Sequence, residues 1–130
     1  MDDKPVKKKT CFVISPIGSA DSETRERSDK ALKHVFKAAL EPRGYQVIRA
    51  DEISVPGSIT LQVLEKVLES DLVIADLTEH NPNVFYELAV RHASEKPVIH
   101  VIDATETIPF DIADLRAIRL EASQRASGRI

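Results

Sequence analysis

Between positions 76 and 87 the sequence sets two carboxylates, Asp76 and Glu87, around two amides, Asn81 and Asn83. Such a set suits sugar chemistry. Breaking an N-glycosidic bond builds positive charge on the sugar ring. One carboxylate can stabilise or attack that centre while a second holds or protonates the departing base. Spacing leaves a plainer reading of Glu87 open, in which it lies off the Phe85 and Leu88 stripe of a helix and pairs in solvent with Arg91 at i+4. Asp76 has fewer uses outside chemistry, capping a loop or a helix being the main one. Asp51 closes an earlier apolar run in a similar way.

A second group of polar residues lies in and after the loop SPIGS, with Ser15, Pro16, Gly18 and Ser19. Its single glycine matches neither the dinucleotide fingerprint G-x-G-x-x-G nor a Walker sequence ending in G-K-S or G-K-T. The serine hydroxyls and loop amides could bind a phosphate or a sugar hydroxyl, with Arg25 one helical turn on as counter-charge. A simple turn followed by a solvated arginine fits the same residues equally well. Other chemistries find less support. His34, His80, His92 and His100 are scattered and match no metal-binding spacing, so no metal is expected. There is no G-x-S-x-G elbow to activate a serine. Cys11, the one cysteine, opens an apolar run and reads as a small core residue in a protein without disulfides.

The elements that must position these groups alternate. Cys11 to Ile14, Tyr45 to Ala50, Asp71 to Asp76, Pro97 to Ile102 and Ala117 to Leu120 read as strands. Helical periodicity runs from Ser22 to Leu40, with Leu32, Val35, Phe36 and Ala39 on one face, and stops at EPRG. A second helix after Pro56 and Gly57 carries Ile59, Val63, Val67 and Leu68, and a third starts at the cap Asn81 and Pro82 with Phe85, Leu88, Ala89 and His92 inward. Right-handed crossovers then require an α/β fold of flavodoxin-like or Rossmann-like kind. Its expected form is a three-layer sandwich around a five-stranded parallel sheet of order 2-1-3-4-5. The switch point between the first and third strands brings Ser15, Gly18, Asp76 and the start of the third helix together.

At 130 residues the chain reads as one domain spanning 11–120, with a basic tail over 1–10 and a tail over 121–130 that is frayed or begins a helix too weakly patterned to place. Lys7, Lys8 and Lys9 read as a solvated charge run. Eighteen basic side chains against 21 acidic ones leave a formal charge of −3, which supplies no field for long nucleic acid or anionic lipid. No apolar run is long enough to span a bilayer, and no signal-peptide core follows the start. A cytoplasmic location is expected.

The stretch ADLTEHNPNVFYELAVRHASEKPVI, together with CFVISPIG, RADEI and IPFD, resembles the nucleoside 2-deoxyribosyltransferase-like superfamily. Its signature is a strand ending in aspartate, a turn containing asparagine or proline, and a helix bearing glutamate-leucine. The resemblance implies that Glu87 is the nucleophile of a glycosyl-enzyme intermediate and that Asp76 engages the base. It also implies a homo-oligomer in which a neighbouring chain completes the pocket, and no metal or organic cofactor. Characterised transferases carry a hydroxyl-bearing aromatic in the first-strand loop, where this chain has Phe12 and then SPIG.

The architecture also looks like TIR-type domains, which cleave the nicotinamide bond of NAD, and like proteins that sense nucleotide signals. The expected function is cleavage or transfer at the N-glycosidic bond of a nucleoside or nucleotide. Glu87 and Asp76 are its catalytic pair, with Ser15, Pro16, Gly18, Arg25, Asp51, Asn81 and Asn83 at the substrate. A TIR-like NAD glycohydrolase and a non-catalytic nucleotide-binding or scaffold domain are the alternatives.

Overall fold

The computed structural model describes residues 8–54, 56–108 and 116–127. The parts of the expected tails over 1–7 and 128–130, and Pro109 to Asp111 of IPFD, lie outside them. A strand buried on both faces of a parallel sheet must be apolar at every position, as CFVI and LVIA are. Accordingly β1 (Lys9–Ile14) is buried from Cys11 onward, and β3 (Leu72–Asp76) is buried throughout, its terminal aspartate included. With β2 (Tyr45–Arg49), β4 (Val98–Asp103) and β5 (Ile118–Leu120) they form one five-stranded parallel sheet in the order β2-β1-β3-β4-β5, as the alternation of elements requires.

Helices cover both faces. On one lies α1, residues 23–40, which Ser22 caps by accepting the Arg25 amide. It passes through a π-helical turn at Leu32–Lys37 and packs Leu32, Val35 and Phe36 over Cys11, Val13, Val47, Ile74 and Val101. The chain then leaves through EPR to Gly44, whose φ of 90° is the left-handed conformation that ends a helix. On the other face α2 (Ile59–Glu69) and α3 (Pro82–Ala93) pack Val67, Val84 and Leu88 over Phe12, Ile14, Val73, Ala75 and Ile102. The C-terminal stretch resolves into a short helix, α4 (Ala122–Ser127), held to the end of β4 by an Arg125–Asp103 ion pair of 2.7 Å.

The inward faces of α2 and α3 differ from their periodicity in an informative way. Ile59 and Leu68 of the expected α2 stripe are 57% and 42% exposed, and the helix buries Val67 in its last turn instead. In α3 the buried stripe is Val84, Leu88 and Arg91, and Ala89 is exposed. Arg91 is fully buried and its guanidinium donates to the carbonyls of Val67, Ser70, Asp71 and Pro97. That set of acceptors makes a buried cation tolerable and pins α3 to the end of α2 and the turn before β4. It also overturns the solvent pairing of Glu87 with Arg91, since the arginine points the other way.

Candidate active site

Residues at i, i+3 and i+4 share a helix face, so Asn83, Tyr86 and Glu87 of α3 face the same way, toward Ile59, Thr60, Val63 and Leu64 of α2. Between the two helices, with Ala50 beyond the end of β2, they enclose an open cleft of about 370 Å³. Its walls are apolar apart from Thr60, Asn83, the Tyr86 hydroxyl and Glu87. Burial among these groups pushes the Glu87 carboxyl up to about 7, with no opposing charge to lower it. Among the described residues no hydrogen bond or ion pair reaches that carboxyl. An unpaired, half-buried carboxylate in an apolar cleft is an arrangement that catalytic sites use and stable cores avoid.

Asp76 is placed differently. It is 4% exposed, and its Oδ1 accepts from the Thr78 amide at 3.1 Å and the Thr78 hydroxyl at 2.5 Å, while the Asp103 amide donates to that same hydroxyl oxygen at 3.0 Å. Burial raises its pKa, against the Thr78 hydrogen bonds and the charges of Arg27 and Arg125. It closes the loop after β3 and does not line the cleft. The next residues, Glu79 and His80, both have positive φ, of 69° and 51°. Cross-links hold them there. Thr24 and Arg27 bind the Glu79 carboxylate, the Glu79 amide donates to Glu106 at 2.8 Å, and the His80 ring meets the Thr107 carbonyl at 2.8 Å. Asn81 then caps α3 by accepting the Asn83 and Val84 amides.

The remaining expected site residues gather at the ends of β1 and β2 in a closed network. Arg49, 2% exposed, donates to Asp51 at 2.5 Å, Asp29 at 2.6 Å and Ser28 at 2.7 Å, and Ser28 in turn meets Ser15 at 3.2 Å. Arg25 donates to the same two aspartates at 3.1 Å each. Two guanidiniums thus meet two carboxylates. Burial opposes the ionisation of Asp29, yet hydrogen bonds from Arg49 and Arg25 hold its pKa below the usual range. The Arg49 hydrogen bond does the same for Asp51 against its own burial. Arg25 is therefore engaged rather than solvated. Pro16 is buried and Gly18 has φ of 67°, where an added Cβ would come within 2.7 Å of Ser22 Oγ, so the SPIGS loop is a tightly packed turn.

The structure thus brings Asn83 and Glu87 together in the cleft, and Ser15, Arg25 and Asp51 together in the network, with Asp51 following directly on the cleft residue Ala50. Reading the sequence missed Tyr86, Thr60 and the cleft-facing role of Ile59. The α3 side was legible from helical spacing, but the α2 side needs the knowledge that these helices are neighbours. Of the four histidines expected to be scattered, His92 and His100 meet, their Nε2 atoms 2.9 Å apart and their ring centroids 5.2 Å apart in a nearly head-on hydrogen bond. Burial and then His92 lower the pKa of His100. No group of three or more metal-ligating side chains occurs among the described residues. Cys11 is fully buried and its thiol is pushed up to about 12 by that burial, as befits a core residue.

No protein-family model and no curated protein matches the sequence. Solved structures do match in shape. A 2-deoxyribosyltransferase from Bacillus psychrosaccharolyticus superposes with a TM-score of 0.64 at 18% identity, over 86% of this chain and 84% of that one. A CMP N-glycosidase from Clostridium botulinum gives 0.61 at 17% identity over 92% and 93%. A 2-deoxyribosyltransferase from Leishmania mexicana gives 0.58 at 18% over 78% and 67%. The chain has a nucleoside 2-deoxyribosyltransferase-like fold. Among the described residues, no helix is long and apolar enough to cross a membrane.

Proposed function

We propose that this protein cleaves or transfers at the N-glycosidic bond of a nucleoside or nucleotide, with Glu87 as the nucleophile. The observation that carries this reading is the unpaired Glu87 carboxyl in the α2–α3 cleft, raised by burial to about 7 and flanked by Asn83 and Thr60. Likeness to two deoxyribosyltransferases and a nucleotide N-glycosidase supports the same bond type. Ionised Glu87 forms a bond to the anomeric carbon as the C–N bond breaks, and the electron pair leaves with the base, which takes a proton from water. Water or the nitrogen of a second base then displaces the carboxylate. Asn83 and Thr60 supply the hydrogen bonds that orient the sugar or base. Asp76 supports the site from behind, fixing the loop after β3 through Thr78.

A second copy of the chain completes the assembly. Leu61 and Leu68, two turns apart on α2, are 62% and 42% exposed beside the cleft and form the patch it covers. Sedimentation velocity will show an oligomer that Leu61→Glu/Leu68→Glu dissociates.

The test of the chemistry is chromatographic detection of free base from a panel of nucleosides, nucleoside monophosphates and NAD, with wild type and Glu87→Gln side by side. Release from at least one substrate is expected, reduced about a thousandfold or more in the variant. Release unaffected by the substitution contradicts the mechanism, and binding without any release makes the domain a nucleotide-binding module.

A further inference from the structure

Among the described residues Tyr86 makes no hydrogen bond or ring contact. It is 62% exposed, it sits between the cleft residues Asn83 and Glu87 on the accessible side of α3, and Ile59, 57% exposed, stands on the opposite wall. Both walls of the cleft thus leave large apolar surface open to solvent beside the half-buried carboxylate. A cleft with an aromatic ring on one wall and an aliphatic side chain on the other suits a flat, weakly polar guest, because stacking on one face and aliphatic contact on the other cover both sides of a ring. We propose that Tyr86 and Ile59 are the two jaws of a nucleobase clamp, holding the base by its faces while the adjacent Glu87 addresses the sugar.

This inference rests on the glycosidic reading of the cleft but makes a separate claim. Clamping by faces reads flatness rather than hydrogen-bond pattern, so the site accepts purines and pyrimidines alike, with Asn83 as the one nearby amide able to prefer among base edges. The sequence offers a clean probe. It contains two tyrosines, Tyr45 and Tyr86, and no tryptophan. Tyr45 lies at the start of β2, on the far side of the sheet beside the α1 core.

The experiment is fluorine NMR of the full chain carrying 3-fluorotyrosine, with its two resonances assigned by Tyr45→Phe and Tyr86→Phe. It is titrated with free adenine, hypoxanthine, cytosine and thymine, and with 2-deoxyribose as a sugar without a ring to stack. The Tyr86 resonance is expected to move saturably with at least one purine and one pyrimidine, and not with 2-deoxyribose, while the Tyr45 resonance stays fixed. Calorimetry should find base affinity retained within about threefold in Tyr86→Phe and reduced about tenfold or more in Tyr86→Ala, as loss of one stacking platform requires. A Tyr86 resonance that no base moves, one that moves with protein concentration alone, or equal affinity in Tyr86→Ala overturns the clamp. Turnover of nucleosides with an unmoved Tyr86 would remove the clamp and leave the glycosidic reading standing. A moved Tyr86 without base release from any nucleoside would do the reverse.

Discussion

The ends of β1 and β2 and the cleft between α2 and α3 both hold carboxylates and treat them in opposite ways. In the first, Arg25, Arg49, Asp29 and Asp51 neutralise one another, and Ser28 and Ser15 extend the network. In the second, Glu87 has apolar walls and no opposing charge. A charged group whose partners are already in place is a structural element. One left half-buried and alone holds free energy in reserve that binding or chemistry can release. Charge density is therefore a poor guide to function in this molecule, and unsatisfied charge a better one.

If that contrast is right, removing a charge should have opposite signs in the two regions. Arg49→Met leaves Asp29 and Asp51 short of their main partner and is expected to cost about 3 kcal/mol in denaturant unfolding at neutral pH, discounted for the exposure of Asp29. Glu87→Gln should instead stabilise. The folded-state pKa of Glu87 is about 7 against an ordinary 4.5, so the folded chain holds a proton that the unfolded chain releases between those values. Stability linked to that proton is complete below 4.5 and is lost as pH rises through 7. The glutamine variant escapes the loss and should gain about 2 kcal/mol over wild type at pH 8, the difference closing as the pH falls toward 4.5. A gain independent of pH would break the contrast. The smallest effect sharpens it: Arg25→Gln removes a half-buried second partner from a network that Arg49 still holds. It should cost less than about 1 kcal/mol and change base release by no more than about twofold.

The sheet was legible because its strands announce themselves. CFVI and DLVIAD are apolar without interruption, and such runs separated by helical periodicity admit few topologies. Asn81 and Pro82 marked the start of α3 for an equally local reason, a cap and a first-turn proline. Periodicity failed where tertiary context overrode it. Arg91 falls on the inward stripe of α3, and no sequence pattern tells a buried arginine with carbonyl acceptors from an exposed one with an acidic neighbour. The topological switch point singles out Asp76, and Arg25 enters as counter-charge to the SPIGS loop, but the partners their side chains take, Thr78 for one and Asp29 and Asp51 for the other, are not ordered by sequence distance. Glu87 was reached through its motif and its chemistry. Its isolation, which distinguishes it from the other carboxylates, is visible only once α2 is known to lie opposite.

The central claim is that Glu87 acts in its ionised form from an apolar cleft, and the dependence of kcat/KM on pH for base release tests it most directly, since that ratio reports the ionisation of the free protein. Activity should rise with a midpoint near pH 7, where burial places the Glu87 carboxyl, well above an ordinary glutamate. A profile that is level from pH 5 to 8, or that rises only near the ordinary carboxylate range, would contradict the account.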